Sequence, residues 1–455
     1  MMRFTLLATM LATSAWTFAQ TNPAISSWLQ NTTVTGRHYV SGNSTAITDA
    51  ALIANVQSVQ YSANYVYVST QGIPTYVVGP YLDGNPNQAG NQNAIFKFPL
   101  TPVPNTGSLT ATSLGNIGVL INGVALFDYR DGRSWNSTNN TMGGGPMNPP
   151  GDGVWNRDAI IAERAGFDCA KGHPAGTNYH HHQNPSAFDL DRNVISTVCN
   201  LYDADGLYAI DSTIHSPLLG FAYDGYPVYG AYAYKNVNGT GGIVRMKSSF
   251  TLRNITTRTT LYTGASVSSG PTVSSTYPLG TFKEDYQYNA TSASTPDYLD
   301  IHNGRFCVTP EYPNGTYCYF ATVDSQWNSA YPYVIGETFY GVVSATKVSS
   351  VTEPTTTYTV GTSTGINQKK EEDLNVTVFP NPSSDLIAIQ VKDLVKENID
   401  VTMYDITGKL VDHATLFQGS TIVYFNATTL YAGQYIVKLT SKTGVAITRK
   451  IAIVK

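Results

Sequence analysis

The sequence predicts a mainly β protein in two parts: a β-rich globular N-terminal domain with one or few short helices, and a small C-terminal β-sandwich of immunoglobulin-like build. Three observations lead there. Charged residues make up 13% of 455, while 31 tyrosines, 39 glycines and runs of Thr, Ser and Asn fill the space they leave. A typical soluble domain carries about 25% charge, so this balance is that of an extracellular chain of strands and loops. Short aromatic and β-branched runs, such as Tyr65-Val66-Tyr67-Val68 and Thr75-Tyr76-Val77-Val78, are broken repeatedly by Gly, Pro or Asn, which is how strands and turns alternate. The length is roughly that of three common domains, enough for two or three separate cores.

Residues 1–19 have the layout of an export signal peptide: Arg3 is the short positive region, Phe4 to Ala12 the apolar one, and Thr17-Phe18-Ala19 a small-residue cleavage site. No Cys stands at the cleavage point, so a lipid anchor is not expected there. The formal charge of -4, from 27 basic and 31 acidic residues, offers no basic field for a phosphate backbone, and nucleic acid is not an expected partner. After the N-terminus no run of 18 or more apolar residues is found, so no transmembrane helix is expected.

Residues 20–350 form the expected main domain, with an N-terminal extension over 20–60. Its one helix candidate is Trp155 to Ala165, where Ile160, Ile161 and Ala165 share a face and Gly166 stands as a left-handed stop. Residues 351–373 turn Thr-rich and end in Lys369-Lys370-Glu371-Glu372, the composition of a linker. Beyond it, 374–455 alternate in about seven short strands, among them Val376-Thr377-Val378, Ile387-Ala388-Ile389 and Tyr435-Ile436-Val437, at the spacing of a β-sandwich.

Export makes the four cysteines readable, because an oxidising compartment permits disulfides. Sequence locality pairs Cys169 with Cys199 and Cys307 with Cys318. The alternative is that one cysteine ligates a metal, though no C-x-x-C spacing occurs.

The densest chemical feature is His173-Pro174-Ala175-Gly176-Thr177-Asn178-Tyr179-His180-His181-His182-Gln183, within a stretch that holds five of eight histidines between 173 and 215. If Tyr179 to Gln183 is a strand, period two puts His180 and His182 on one face. Two imidazoles can then meet one metal, zinc or copper being the expected ions, and His181 points the other way. Completion of the shell is expected from His215, His302 or His173, with Asp224 as a carboxylate option. The competing readings are histidines that only hydrogen-bond within a polar core, and metal-free acid–base chemistry. Asp203-Ala204-Asp205-Gly206 hints at a calcium loop but lacks the other oxygen ligands. No His-Glu-x-x-His or phosphate-cradling loop is present.

Val378-Phe379-Pro380-Asn381-Pro382, then Met403-Tyr404-Asp405-Ile406-Thr407-Gly408-Lys409, then Gly433-Gln434-Tyr435-Ile436-Val437 resemble the type A C-terminal sorting domain of the type IX secretion system. The resemblance covers 374–455. It implies a chain of Bacteroidota type, delivered to the periplasm and then carried across the outer membrane by that machinery, to be released or attached to surface glycolipid.

Tyr179-His180-His181-His182, the block from His215-Ser216-Pro217 to Asp224-Gly225-Tyr226-Pro227-Val228-Tyr229-Gly230, and Tyr312-Pro313-Asn314-Gly315-Thr316-Tyr317-Cys318-Tyr319-Phe320 resemble, in this order, the YHYH family of secreted proteins. The chain departs from the family pattern at Tyr317-Cys318-Tyr319-Phe320, where many relatives have a second Tyr-His-Tyr-His. The resemblance covers roughly 60–340 and implies no particular reaction. Two expectations therefore stand: a secreted or surface metalloprotein built on the histidines, or an adhesion or glycan-binding module whose tyrosines stack on an extracellular glycan.

Overall fold

The computed structural model describes residues 22–455 apart from 43–44, 84–86, 145–148, 187–205, 209, 291–294, 345, 360–375, 393, 396–397, 406–408 and 442–445. The signal segment, Cys199, Asp203, Asp205, Gly408 and the centre of the linker lie outside these residues. The chain divides into two units, Met1–Thr359 and Val360–Lys455.

The first unit is organised by an eight-stranded sheet. Its strands in chain order are β1 (Asn116–Leu120), β2 (Ala125–Phe127), β3 (Gly172–Ala175), β4 (Asn178–His181), β5 (Leu218–Ala222), β6 (Pro227–Tyr229), β7 (Gly304–Cys307) and β8 (Thr316–Phe320). Their order across the sheet is β3-β4-β2-β1-β5-β6-β8-β7. Both faces are covered, because alternate residues enter two different cores: Leu120, Ala222, Tyr179, Tyr317 and Tyr319 one, Val119, Phe221, Cys318 and Phe320 the other. The second core is shared with Val59, Val66, Val68, Phe96 and Phe98 of a five-stranded sheet stacked on that face. That sheet contains the expected strand Tyr65–Thr70, whereas Thr75–Val78 joins no ladder and contributes only a bridge from Val78 to His38.

The order of the eight strands is palindromic, and the pairings repeat with it. β1 meets β5 antiparallel about Val119 and Phe221; outward on either side lie an antiparallel hairpin, a parallel neighbour and a terminal antiparallel hairpin. Asn122-Gly123 and Asp224-Gly225 make the equivalent turns, with Gly123 N–H donating to Leu120 O at 2.7 Å and Gly225 N–H to Ala222 O at 2.8 Å. Before the outer hairpins, Asp168 N–H donates to Gly172 O and Asp300 N–H to Gly304 O, both at 2.9 Å. Tyr179 and Tyr317 then donate their hydroxyls to Asp168 and Asp300, each at 2.8 Å. Gly172 and Gly304 are glycines because a Cβ at either would stand 2.3 Å from the corresponding tyrosine oxygen.

Three expectations are corrected. The helix is shorter than Trp155 to Ala165: Asn156–Asp158 is a strand, α2 is Ala159–Glu163 (α1 being the turn Pro23–Ser26), and Arg164–Gly166 is 3-10. The start is set by Asp158, whose carboxylate accepts from Ile160 N and Ile161 N, and Gly166 is not left-handed but makes room for the Asp83 carboxylate. Part of the linker is structured, since Thr356–Tyr358 pairs with Val59–Tyr61 as an edge strand of the first unit. Cys307 and Cys318 are free thiols: in the β7–β8 register Cys307 faces Thr316 and Cys318 faces Arg305, so the cysteines sit diagonally and not opposite one another. Cys169 is buried.

The second unit is a β-sandwich. Val376–Phe379, Leu386–Val391 and Ile422–Asn426 form one sheet; Leu410–Leu416, Ile399–Asp405, Gly433–Ser441 and Ala446–Ile453 form the other. Ile387, Ile389, Val401, Met403, Val437 and Ile451 fill the core between them. The motif between Pro380 and Pro382 ties strands together: Asn381 Nδ2 donates to Lys450 O at 3.1 Å and its Oδ1 accepts from Ala452 N at 2.9 Å. Lys409 N donates to Asp405, and Tyr435, just after Gly433, donates its hydroxyl to Tyr431 O.

Candidate metal centre

The β3–β4 hairpin turns through Gly176, at φ +59°, and Thr177, which fixes Ala175 opposite Asn178 and therefore His173 opposite His180. His182 follows His180 on the same face. The ligand atoms of His173, His180 and His182 lie within 4.8 Å of one another, and all three residues are buried. His180 Nε2 is 3.0 Å from His182 Nε2, and His173 Nε2 is 3.3 Å from it.

Backbone carbonyls set the ring orientation. His180 Nδ1 is 2.9 Å from Asn178 O, and His182 Nδ1 is 2.5 Å from Asp128 O. A carbonyl only accepts, so each Nδ1 carries the hydrogen, and each neutral ring turns its Nε2 lone pair inward. Asp128 is itself held by Arg130, whose Nε and Nη2 donate to its two carboxylate oxygens at 2.6 and 3.0 Å. Phe127 stacks on His180 with centroids 3.8 Å apart.

Sequence reasoning missed Glu163, the last residue of α2. Its Oε2 is 3.3 Å from His173 Nε2 and 3.4 Å from His182 Nε2, and that oxygen is buried with no hydrogen-bond partner besides these rings. Burial alone would raise its pKa, but the two histidines outweigh that and hold it down at about 2. Burial and then the neighbouring imidazoles push His180 well below the usual histidine range. For His182 burial also acts downward, but Glu163 overrides it and the pKa is raised. Two inward lone pairs, with the His173 Nε2 beside them, around one carboxylate form a place for a positive charge.

The spacing fits a metal ion. In a tetrahedron with bonds of about 2.0 to 2.1 Å the donor atoms stand about 3.3 to 3.4 Å apart. Four of the six separations among the three Nε2 atoms and Glu163 Oε2, those from His182 to the other three and from His173 to Glu163, run from 3.0 to 3.4 Å, and the three histidine ligand atoms all lie within 4.8 Å. A cavity of about 230 Å³ opens over the group, lined also by Arg130 and Asp131.

The other expected ligands are elsewhere. His181 faces the opposite core and binds the Tyr76 hydroxyl at 2.6 Å; burial lowers its pKa to about 3. His215 lies against Tyr229 and Tyr234, with Nδ1 2.7 Å from Ser216 O. His302 Nδ1 is engaged by the Thr338 hydroxyl and carbonyl. Asp224 is fully buried at its turn, accepting from the Tyr319 hydroxyl, Gly341 N and Tyr226 N. All three belong to the other half of the palindrome or its flanks, so none completes the shell; His173 does. Tyr179, Tyr226, Tyr229, Tyr317 and Tyr319 are buried in the two cores, and offer no exposed stacking platform.

The model of the family described as YHYH protein matches residues 95–332, more than half of the chain. The chain belongs to the YHYH family. In this YHYH protein the matched segment contains all four donors of the centre. The secretion system C-terminal sorting domain matches residues 377–454, so the chain carries the address of the type IX system, is exported by it, and is secreted or displayed at the outer surface. No helix among the described residues is long and apolar enough to cross a membrane. No curated protein matches the chain. Among solved structures, a DUF3244 family protein with an immunoglobulin-like β-sandwich from Bacteroides vulgatus is 14% identical, covering 18% of this chain and 86% of that one, at TM-score 0.16. A mutant β-glucosidase from Listeria innocua in complex with laminaribiose is 12% identical, covering 37% of this chain and 23% of that one, at TM-score 0.14.

Proposed function

We propose that this YHYH protein is an exported metalloprotein that holds one divalent cation, zinc in preference to copper, on His173, His180, His182 and Glu163. The single observation that supports it is the convergence of three buried imidazoles, two of which bring Nε2 within 3.4 Å of the buried Glu163 Oε2. Zinc is favoured because imidazole and carboxylate donors 3.0 to 3.4 Å apart along four edges suit a tetrahedron, whereas copper(II) prefers a square-planar or tetragonal arrangement. When bound, the ion would supply Lewis acidity toward whatever enters the cavity. The protein's own contribution is orientation: Asn178 and Asp128 carbonyls fix the two rings, and Phe127 walls off one side.

Elemental analysis of the exported form, purified without a His-tag and dialysed, tests this. Near-stoichiometric zinc that disappears in a His180→Ala, His182→Ala double variant supports the reading. A well-folded wild type that stays empty after zinc and copper are offered overturns it.

A further inference from the structure

We propose that Cys307 and Cys318 form a second ligand site, selective for a monovalent soft cation of the copper(I) and silver(I) class. The palindrome of the sheet locates it. Gly172 pairs with His181 and His173 with His180 at one end; Gly304 pairs with Tyr319 and Arg305 with Cys318 at the other. Cys318 thus stands where His180 stands, Arg305 where His173 stands, Phe320 where His182 stands, and Cys307 where Ala175 stands. The half that lacks the imidazoles thus has one thiol at a histidine position and a second two residues beyond Arg305, on the same face of the sheet.

The thiols are fully buried, free, and in hydrogen-bond contact with each other. Arg305 is 8% exposed and has no carboxylate partner among the described residues. Its Nη atoms donate only to carbonyls, those of Pro296 at 2.6 Å, Lys235 at 3.1 Å and Tyr234, and its Nε is left without a hydrogen-bond acceptor. A buried cation without an anion is costly. The hydrogen bond from Cys318 and, after it, the Arg305 guanidinium outweigh burial and draw Cys307 toward the thiolate, whereas burial and then Cys307 hold Cys318 as the thiol, so its proton leaves only when a metal takes its place.

Charge then chooses the metal. Two thiols that each release a proton to solvent leave two negative charges; one monovalent cation and the Arg305 guanidinium balance them. Only two sulfurs are offered on this face, enough for a two-coordinate monovalent ion, whereas zinc would ask for four donors. Thiolates select copper(I) by softness. A cavity of about 370 Å³ alongside, lined by Thr316, Pro227 and Glu311, gives an approach, since Thr316 faces Cys307 directly.

The test is titration of the full chain, reduced and freed of metal by a chelator, with Ag(I), and X-ray absorption at the silver edge on the first equivalent bound. The expected result is one tightly held equivalent with two sulfur neighbours, lost in Cys307→Ala and in Cys318→Ser and kept in the His180→Ala, His182→Ala variant. Cys307→Ala is the variant least apt to disturb the fold, because the equivalent position 175 already carries alanine; circular dichroism matched to wild type confirms it. A first equivalent held as tightly by Cys307→Ala, one ringed by nitrogen, or no uptake overturns the proposal, and zinc content at the histidine site is read independently in the same samples.

Discussion

His180 and His182 bring their Nε2 atoms to 3.0 Å of each other while turning their Nδ1 atoms outward to two different carbonyls, Asn178 O and Asp128 O. Two lone pairs at that distance repel unless a proton or a cation lies between them. That is why the arrangement reads as a ligand set and not as a pair of core histidines.

Removing one ring should therefore cost metal before it costs fold. His182→Ala is expected to abolish stoichiometric zinc. It also removes the zinc-dependent part of stability, about 2.7 kcal/mol for wild type at a free metal concentration 100 times the Kd. Calorimetry with and without a chelator checks this: wild type should lose melting temperature on chelation, and the variant should not respond.

Glu163 sits at the end of a short helix and its side chain is 25% exposed, so its replacement should be tolerated. Glu163→Gln keeps the shape and removes the charge. Zinc affinity is expected to fall by roughly 10- to 100-fold, as for other groups that support a metal, with unchanged circular dichroism. Competition with a fluorescent chelator reads it; an unchanged Kd would remove Glu163 from the site.

Acid should release the metal. Ligands must be deprotonated, and His182, whose pKa is raised, takes up its proton first. Affinity is expected to decline as pH falls through the neutral range, and an affinity flat from pH 8 to 5 would argue against imidazole ligation.

Asp224 gives a pH effect of opposite use, on stability. Burial pushes its pKa up to about 6, above an unfolded value of about 3.9. A raised carboxyl stabilises the fold fully below the unfolded value, and that contribution is lost as pH rises through about 6. Asp224→Asn keeps the oxygen that accepts from Tyr226 N, as Asn122 does for Val124 N in the equivalent turn, but sets an amide against Gly341 N–H, a cost that does not vary with pH. The advantage of wild type over the variant should shrink between pH 4 and 7, by up to about 3 kcal/mol. Denaturant melts across that range decide, and a constant difference contradicts the shift.

The outer hairpins depend on their glycines. Gly172→Ala would drive a methyl to 2.3 Å from the Tyr179 hydroxyl oxygen, displacing the tyrosine from Asp168. Overpacking of this kind costs about 1 to 3 kcal/mol, and the hairpin that carries His173 and His180 would shift, so zinc affinity should fall along with the melting temperature.

Much of this was legible in the residues. The aromatic and β-branched runs gave the strand content, the seven alternating segments gave the C-terminal sandwich, and period two placed His180 with His182 and turned His181 away. The choice of His173 was also encoded: a two-residue Gly176-Thr177 turn places 175 opposite 178 and hence 173 opposite 180. Glu163 was not legible, because nothing in the spacing from the end of α2 to the strand Gly172–Ala175 fixes which way its carboxylate turns. His215, His302 and Asp224 were misplaced because sequence proximity to chemistry does not reveal which half of a palindromic sheet a segment enters. That palindrome left as its trace Asn122-Gly123 with Asp224-Gly225 and the Asp, Gly and Tyr shared by Asp168, Gly172 and Tyr179 with Asp300, Gly304 and Tyr317, too sparse to stand out because equivalent core positions need only similar bulk. The expected Cys307–Cys318 bond failed on register, which closeness in sequence does not fix.

The most direct measurement is X-ray absorption at the zinc edge on the exported protein after it has been offered zinc and dialysed. The account predicts one zinc per chain with a first shell of four nitrogen or oxygen atoms at about 2.0 to 2.1 Å, and the multiple-scattering signature of three imidazoles. Absence of retained zinc, or a first shell with fewer than three imidazoles, would contradict it.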